Sequence, residues 1–290
     1  MSGGLFSGLK RDAACGFLSV DPIPSSKRVQ EYYEQEYYED VVDGACAPDL
    51  EDLIQSSQDE SEWRANTWYD DILSLIAKPQ SLLDVGCGTG QFMNFAQERD
   101  IDAIGIEPAK DMRRILQDRG FDIHPSIEHY TTSCGKSVDC VTMLNVLEHV
   151  RNPRETLRSV FELLASDGDI VVKVPNDFNP LQIAAHSQLE VGRYWLSPGV
   201  HLHYFNFDSL TCLLEEVGFT VRHSFASFPM ELFLLLGYDY SSDPQLGKEL
   251  HRRRCQFDTN IPADVRRGLY SQLAESNIGR SCTIIATKSE

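Results

Sequence analysis

The chain has 290 residues, 42% of them hydrophobic and 10% aromatic, and carries a formal net charge of −18 at pH 7. That length suits one large domain, or one domain with a cap, and no apolar run approaches the ~20 residues of a membrane span. Fourteen acids stand against Arg64 alone between Glu31 and Asp71, a surface that repels phosphate backbones and disfavours nucleic acid as the substrate.

Residues 1–6 lack the basic start and apolar core of a signal peptide. Eight scattered cysteines without a CxxC pair indicate neither a zinc knuckle nor a disulfide framework, so a reducing cytoplasm is expected. A basic cluster, Arg252 to Arg254 with Arg266 and Arg267, is expected to form solvated helix faces, a local anion site being the alternative.

In chain order, residues 1–30 are rich in Gly and Ser, then Pro, and read as a mobile or loosely docked lead-in. Glu31 to Val42 carries the tyrosine pairs Tyr32-Tyr33 and Tyr37-Tyr38 on an acidic helical background, either packing the segment down or forming a lid. Asp49 to Gln55 reads as a short helix, and Ser61 to Ala77 as a longer one with Trp63, Tyr69, Ile72, Leu73 and Ile76 on its apolar face. Ser81 to Val85 is a short buried strand, and Gln91 opens a helix with Phe92, Phe95 and Ala96 on one face. Between them Gly86, Gly88 and Gly90 alternate, where the backbone turns sharply and a ligand can approach without meeting a Cβ. A strand, glycine loop and helix in this order hold nucleotide-like cofactors. The dinucleotide fingerprint would place its third glycine at Gln91 instead.

Asp102 to Ile106 is a second buried strand ending in Glu107. That acid lies seventeen residues beyond Gly90, where a carboxylate that accepts from both ribose hydroxyls is expected. Asp111 to Arg119 is the next helix and Phe121 to His124 the next strand. Ser137 to Leu144, Asp169 to Val174, Thr220 to Phe225 and Ser281 to Thr287 read as further strands. Arg154 to Leu164 is a helix, as are Phe228 to Tyr238, Pro244 to Arg254 and Ala263 to Glu275.

The motifs then come in a recognisable order: Asp84 to Gly90, Gly105-Ile-Glu107, Asp139-Cys-Val141, Asn145-x-x-Glu148-His149, and the run Leu163 to Asn176. Together they resemble the class I S-adenosylmethionine (SAM)-dependent methyltransferases. The nearest likeness is the bacterial small-molecule group that includes ubiquinone-biosynthesis O-methyltransferases. The stretches His203 to Leu210 and Leu213 to Phe219 add to the resemblance, which spans about residues 80–225. It implies an α/β, Rossmann-like fold: a seven-stranded, mostly parallel sheet in the order 3-2-1-4-5-7-6, helices on both faces, and strand seven antiparallel. Residues 1–77 would form a lead-in and helical lid. Residues 78–290 would form the SAM-binding domain, with an insertion at 177–202 and a helical segment at 229–275 before the last strand.

The resemblance implies that SAM binds, with S-adenosylhomocysteine as product, through Asp84, Gly86, Gly88, Gly90, Glu107 and Asn145. Ser126 and Ile127 fall in the loop that passes beside the adenine ring in this fold. Methyl transfer from a sulfonium draws its driving force from the cofactor, so the protein mainly positions its reactants. A base is needed only where the acceptor must lose a proton. His149 is the first candidate, with His201 and His203 next. In the related ubiquinone-pathway enzymes a Glu-x-x-Glu-His motif is associated with a divalent metal. Here Asn145 replaces the first glutamate and removes an anionic ligand, so no metal is expected. The acceptor is expected to be a small molecule, apolar or aromatic, held between the N-terminal segment and the insertion with its Tyr194 and Trp195; O-methylation is favoured over N-methylation. Two other readings stay open: a SAM-fold protein with other chemistry, and a cofactor-binding partner subunit without turnover. The oligomeric state also stays open, a homodimer included.

Overall fold

A computed structural model describes residues 8–40, 50–57 and 60–289; Val42 and Asp49, named above, and one of the eight cysteines, Cys46, lie outside them. Its strands are β1 (Leu9–Arg11), β2 (Leu18–Val20), β3 (Ser81–Val85), β4 (Asp102–Ile106), β5 (Asp122–His124), β6 (Val138–Leu144), β7 (Leu164–Pro175), β8 (His203–Tyr204), β9 (Phe219–Ala226) and β10 (Ser281–Lys288). Seven of them form one sheet in the order β5-β4-β3-β6-β7-β10-β9. Counted within the sheet this is 3-2-1-4-5-7-6, and β10 runs antiparallel to both β7 and β9.

The strands alternate faces with the period of two that a pleated backbone imposes. Leu82, Cys140, Val171 and Ile285 pack to one side with Phe92, Phe95, Met112 and Leu116. Leu83, Val141, Ile170, Val172 and Ile284 pack to the other with Leu157, Val160, Leu210 and Leu213. The helices supplying those residues are Gln91–Gln97 and Lys110–Asp118 on one face, and Pro153–Leu163 and Phe207–Val217 on the other. Parallel strands need both faces covered, which explains why β3, β6 and β7 read as near-continuous apolar runs.

From Gly8 onward the lead-in is docked rather than loose. β1 pairs with β2, and β2 pairs with β8 through Leu18 opposite Tyr204 and Ser19 opposite His203. Arg154 fastens the same segment by bonds of 2.7 and 2.8 Å to Asp12, while also holding Glu216 at 2.9 Å. Cys15 and Cys212 form a disulfide. This corrects the expectation of no disulfide: the partners lie 197 residues apart, and only the docking of the lead-in onto Phe207–Val217 brings them together.

The helix expected over Ser61 to Ala77 is broken. Ser61–Arg64 and Asp70–Leu75 are α-helical, with a wider π-helical turn at Ala65–Tyr69 between them. Inside that turn Thr67 leaves helical angles and donates its hydroxyl to the Trp63 carbonyl at 2.6 Å. A side chain inserted into the ladder in this way is a recognised cause of a kink. Pro244–Asn260 and Ala263–Glu275 precede β10. Of the basic cluster, Arg252 and Arg253 are exposed, but Arg266 is buried and grips Asp71 through two bonds of 2.9 Å. No helix among the described residues is long and apolar enough to cross a membrane.

Candidate active site

The glycine loop leaves β3 at the carboxyl end of the sheet, where ligands sit in open α/β folds. Gly86 has φ +70°, and a Cβ there would stand 2.4 Å from Val146 Cγ2, so neither the conformation nor the space admits another residue. Gly90, at φ +76°, is the left-handed residue that starts the helix Gln91–Gln97. Gly86, Gly88 and Thr89 line a cleft of about 940 Å³ with Asp84, Glu107 and Asn145; Gly90 turns the chain behind that wall and does not line it.

Of the carboxylates that line the cleft, Asp84 and Glu107 are buried and held. Asp84 accepts the Thr142 hydroxyl at 2.6 Å, and burial pushes its pKa up to about 7. Glu107 Oε1 accepts the Ala109 amide at 2.9 Å; its Oε2 accepts the Gly88 amide at 3.1 Å and the Tyr38 hydroxyl at 3.4 Å. Burial raises Glu107 to about 7 as well, against the pull of those bonds. Ser126 and Ile127 line the same cleft. Ser126, read from sequence as part of a loop, caps the helix Ile127–Ser133 by accepting the His129 amide at 3.1 Å.

The N-terminal segment reaches this cleft through its paired tyrosines. The Tyr33 hydroxyl is 2.9 Å from His149 Nδ1, and Tyr33, Tyr37 and Tyr38 all face the cleft. Arg64 donates to the Gln91 side chain at 2.6 Å, and Glu60 meets His251 at 2.8 Å, so elements from both ends of the chain meet at the mouth.

A second chamber of about 340 Å³ adjoins the cleft, and Trp63, Trp68, Asn145, Lys173 and Arg254 line both. Tyr194, Trp195 and His201 of the 177–202 segment form part of its wall. Asn145 stands at the junction in the left-handed region, φ +60°, a conformation asparagine tolerates better than most residues.

Two of the three histidines come together and one stands apart. His149 and His201 have ring centroids 4.9 Å apart. Burial, then the neighbouring His201, pushes His149 down to about 4, and burial lowers His201 too; both rings are neutral near pH 7. His149 Nδ1 lies 3.1 Å from the Val200 carbonyl, which fixes the proton on that nitrogen and leaves Nε2 basic. His201 Nδ1 is buried without a partner. His203 lines neither cavity. Its Nδ1 is bonded to Ser19 Oγ at 2.8 Å and its Nε2 to the Val150 carbonyl at 3.0 Å, so both nitrogens are engaged in pinning β8.

Glu148, His149 and His201 present three donor atoms within 4.8 Å of one another. As built, the set fits a divalent cation poorly. Asn145 offers only an amide where the resemblance would place a second carboxylate, so Glu148 is the one carboxylate among the three donors. A hard cation needs anionic oxygen.

A family described as "Methyltransferase domain" matches residues 58–224. The chain belongs to the class I SAM-dependent methyltransferases. Among curated relatives, a tRNA U34 carboxymethyltransferase of Vibrio atlanticus is 26% identical over 181 residues, covering 55% of this chain and 51% of that protein. A ubiquinone biosynthesis O-methyltransferase of Saccharophagus degradans is 30% identical over 135 residues, covering 44% of this chain and 56% of its own. The chain thus spans about half the length of the curated relatives it matches. A solved plantazolicin methyltransferase in complex with a triazolic desmethylPZN analog and SAH shares the fold at TM-score 0.53 and 17% identity, covering 91% of this chain and 95% of its own.

In this methyltransferase the residues that sequence reasoning missed are the cations at the junction. Lys173 interrupts the apolar run Ile170 to Val174 in β7, and a single charge inside a buried strand is itself a signal. Arg254 was read as part of a solvated face; instead it lies against the Trp63 ring at 5.0 Å and lines both cavities. Only the packing of Pro244–Asn260 over the site reveals that.

Proposed function

We propose that this methyltransferase acts on a small molecule, methylating an oxygen in a biosynthetic reaction, with the acceptor in the second chamber. The observation that carries the reading is the size and position of that chamber. It is a partly enclosed space of about 340 Å³ that adjoins the cofactor cleft at Trp63, Trp68, Asn145, Lys173 and Arg254, room for a compact acceptor and not for a polynucleotide strand. SAM, when bound, supplies the electrophilic methyl.

The residues of the chain do the rest. Glu107 holds the ribose, and the Gly86 to Thr89 backbone admits the amino-acid part of the cofactor. The aromatic walls orient the acceptor and exclude water. His201, on the wall of the chamber, takes the acceptor's proton, with His149 beside it as the second basic group. The paired tyrosines act as a lid over the mouth.

A nucleic-acid acceptor is the second reading, favoured by what the carboxymethyltransferase relatives are named for. Against it stands the net charge of −18. We favour a cytoplasmic location from the five free cysteines among the described residues; the Cys15–Cys212 disulfide is the feature that speaks against it.

Incubation with methyl-labelled SAM and separate pools of small hydroxylated compounds and tRNA tests the reading. Label in the small-molecule fraction supports it. Label in tRNA alone moves the assignment to nucleic acid, and label in neither fraction defeats both.

A further inference from the structure

The second chamber is charged in an unusual way. Four cations line it: Lys173, Arg254, Arg266 and Arg280. Arg266 is neutralised by Asp71. Among the described residues, no ion pair involves Lys173, Arg254 or Arg280, and Lys173 and Arg254 each rest on a tryptophan face, at 4.4 and 5.0 Å. Burial first, then Arg254 and Arg280 among its neighbours, lower Lys173 to about 7, and Arg280 disfavours the charge on Arg254 too; an anion between the three would restore what they lose.

The other acids of the wall answer them only by proximity, Asp258 near Arg254 and Asp177 near Arg280, and form no ion pair with them. Asp258 is taken up by the Tyr270 hydroxyl, and Asp177 is fully desolvated, its carboxyl raised far above the usual range. Three further side chains of the chamber are nine-tenths or more buried and hold polar atoms with no partner: Asp177 Oδ2, Gln182 Oε1 and Trp195 Nε1. Arg254 Nε is also without one. An orphaned buried polar atom costs about 1–3 kcal/mol, and uncompensated cations in the same space cost more. Several together around one cavity describe a site shaped for a polar, anionic occupant.

We infer that the acceptor of this methyltransferase carries a carboxylate, which docks between Lys173, Arg254 and Arg280 while the rest of the molecule lies against Trp68 and Trp195. The inference rests on the small-molecule reading above and names the class of that molecule. A carboxylate matches the planar fork of an arginine. The chamber is small and aromatic-walled, so the body of the acceptor is a compact ring or short apolar chain. Asp177, protonated, and the Trp195 N–H are left to bond its remaining polar groups.

The test uses the full chain loaded with S-adenosylhomocysteine and titrated by calorimetry with benzoate, benzamide and phenyl phosphate. Benzoate is expected to bind about tenfold or more tightly than benzamide, the usual margin for a charge-assisted pair. Lys173→Met and Arg254→Gln should each bring that ratio to within about twofold, and Arg254→Lys should restore part of it. Affinity for S-adenosylhomocysteine itself, measured first, should stay within about threefold in every variant, and thermal unfolding followed by circular dichroism reports separately that each is folded.

Equal binding of benzoate and benzamide, or no binding of either, overturns the inference. Preference for phenyl phosphate over benzoate overturns the carboxylate in favour of a phosphate. Loss of S-adenosylhomocysteine affinity in both folded variants would assign the cations to the cofactor's own carboxylate and also overturn it. Because these readouts need no turnover, their failure is distinguishable from failure to methylate a small molecule.

Discussion

Replacing Glu107 by alanine tests the cofactor cleft where its geometry is most explicit. A carboxylate offers about four lone-pair directions. In the structure the Gly88 and Ala109 amides take two of them, and the Tyr38 hydroxyl holds a third weakly at 3.4 Å. Two ribose hydroxyls therefore gain one open direction and displace Tyr38 from the other. Hydrogen bonds to a charged group contribute about 1.5–3 kcal/mol each; with the loss of the Tyr38 contact set against two new bonds, the net is about 1.5–3 kcal/mol, or about 10- to 150-fold in Kd.

Calorimetry with S-adenosylhomocysteine at pH 8, where Glu107 is ionised, measures it, and Glu107→Gln serves as the volume-preserving companion. The pH dependence follows from the raised pKa of about 7. Affinity should fall as pH drops through 7, because a protonated carboxyl cannot accept from both hydroxyls. The same raised value means that Glu107 favours the folded state most below its ordinary 4.5, with that contribution lost as pH rises towards 7. A folded Glu107→Ala protein that binds within about twofold of the parent, when the hydrogen bonds should cost tenfold or more, removes Glu107 from the cofactor site.

Four further outcomes are expected. His201→Ala and His149→Ala should lower turnover on the true acceptor by about 10²-fold or more, the usual yield of a general base, with SAM affinity little changed. His203→Ala should instead lower stability by about 1–3 kcal/mol, because it orphans the groups at Ser19 and Val150; denaturant unfolding separates the two classes. Hydrogen exchange over residues 26–40 should slow when S-adenosylhomocysteine binds if the tyrosine segment is a lid, and equal protection in both states would assign it to packing alone. Arg266→Ala should destabilise the fold by about 3 kcal/mol, the low end for a broken buried pair, because Asp71 loses its two-bond partner and keeps only Arg267 at 3.1 Å; a midpoint shift equivalent to less than about 1 kcal/mol would contradict the burial of that pair.

The central sheet was legible because its strands follow a simple rule: parallel strands buried on both faces read as short apolar runs closed by Gly or an acid. Glu107 was legible because one strand–helix–strand unit has a nearly fixed length. What stayed hidden depends on contacts distant in sequence. β2 is three residues long, and nothing in Leu18 to Val20 announces that it will pair with Tyr204 and His203. Cys15 and Cys212 meet for the same reason.

His203 looked equivalent to His201, since both follow a strand end, yet one side chain points into β2 and the other into the chamber. Local periodicity cannot tell these apart. Ser126 shows the reverse error: a residue read for its contact with a ligand is spent on a helix cap, although it still lies on the cleft. Arg254 and Arg266 were read as solvated because arginines in polar helices usually are. The tertiary burial of two helices that precede the last strand decided otherwise.

The most direct test of the account is the product of a single turnover with methyl-labelled SAM. The protein is mixed with labelled cofactor and a panel of compact hydroxylated aromatic acids beside their amides, and the products are resolved by mass. The account predicts one added methyl on an oxygen of an acid, no product from the matching amide, and loss of that product in His201→Ala while S-adenosylhomocysteine still binds. Product from the amides at the same rate, or label found only in tRNA, would contradict it.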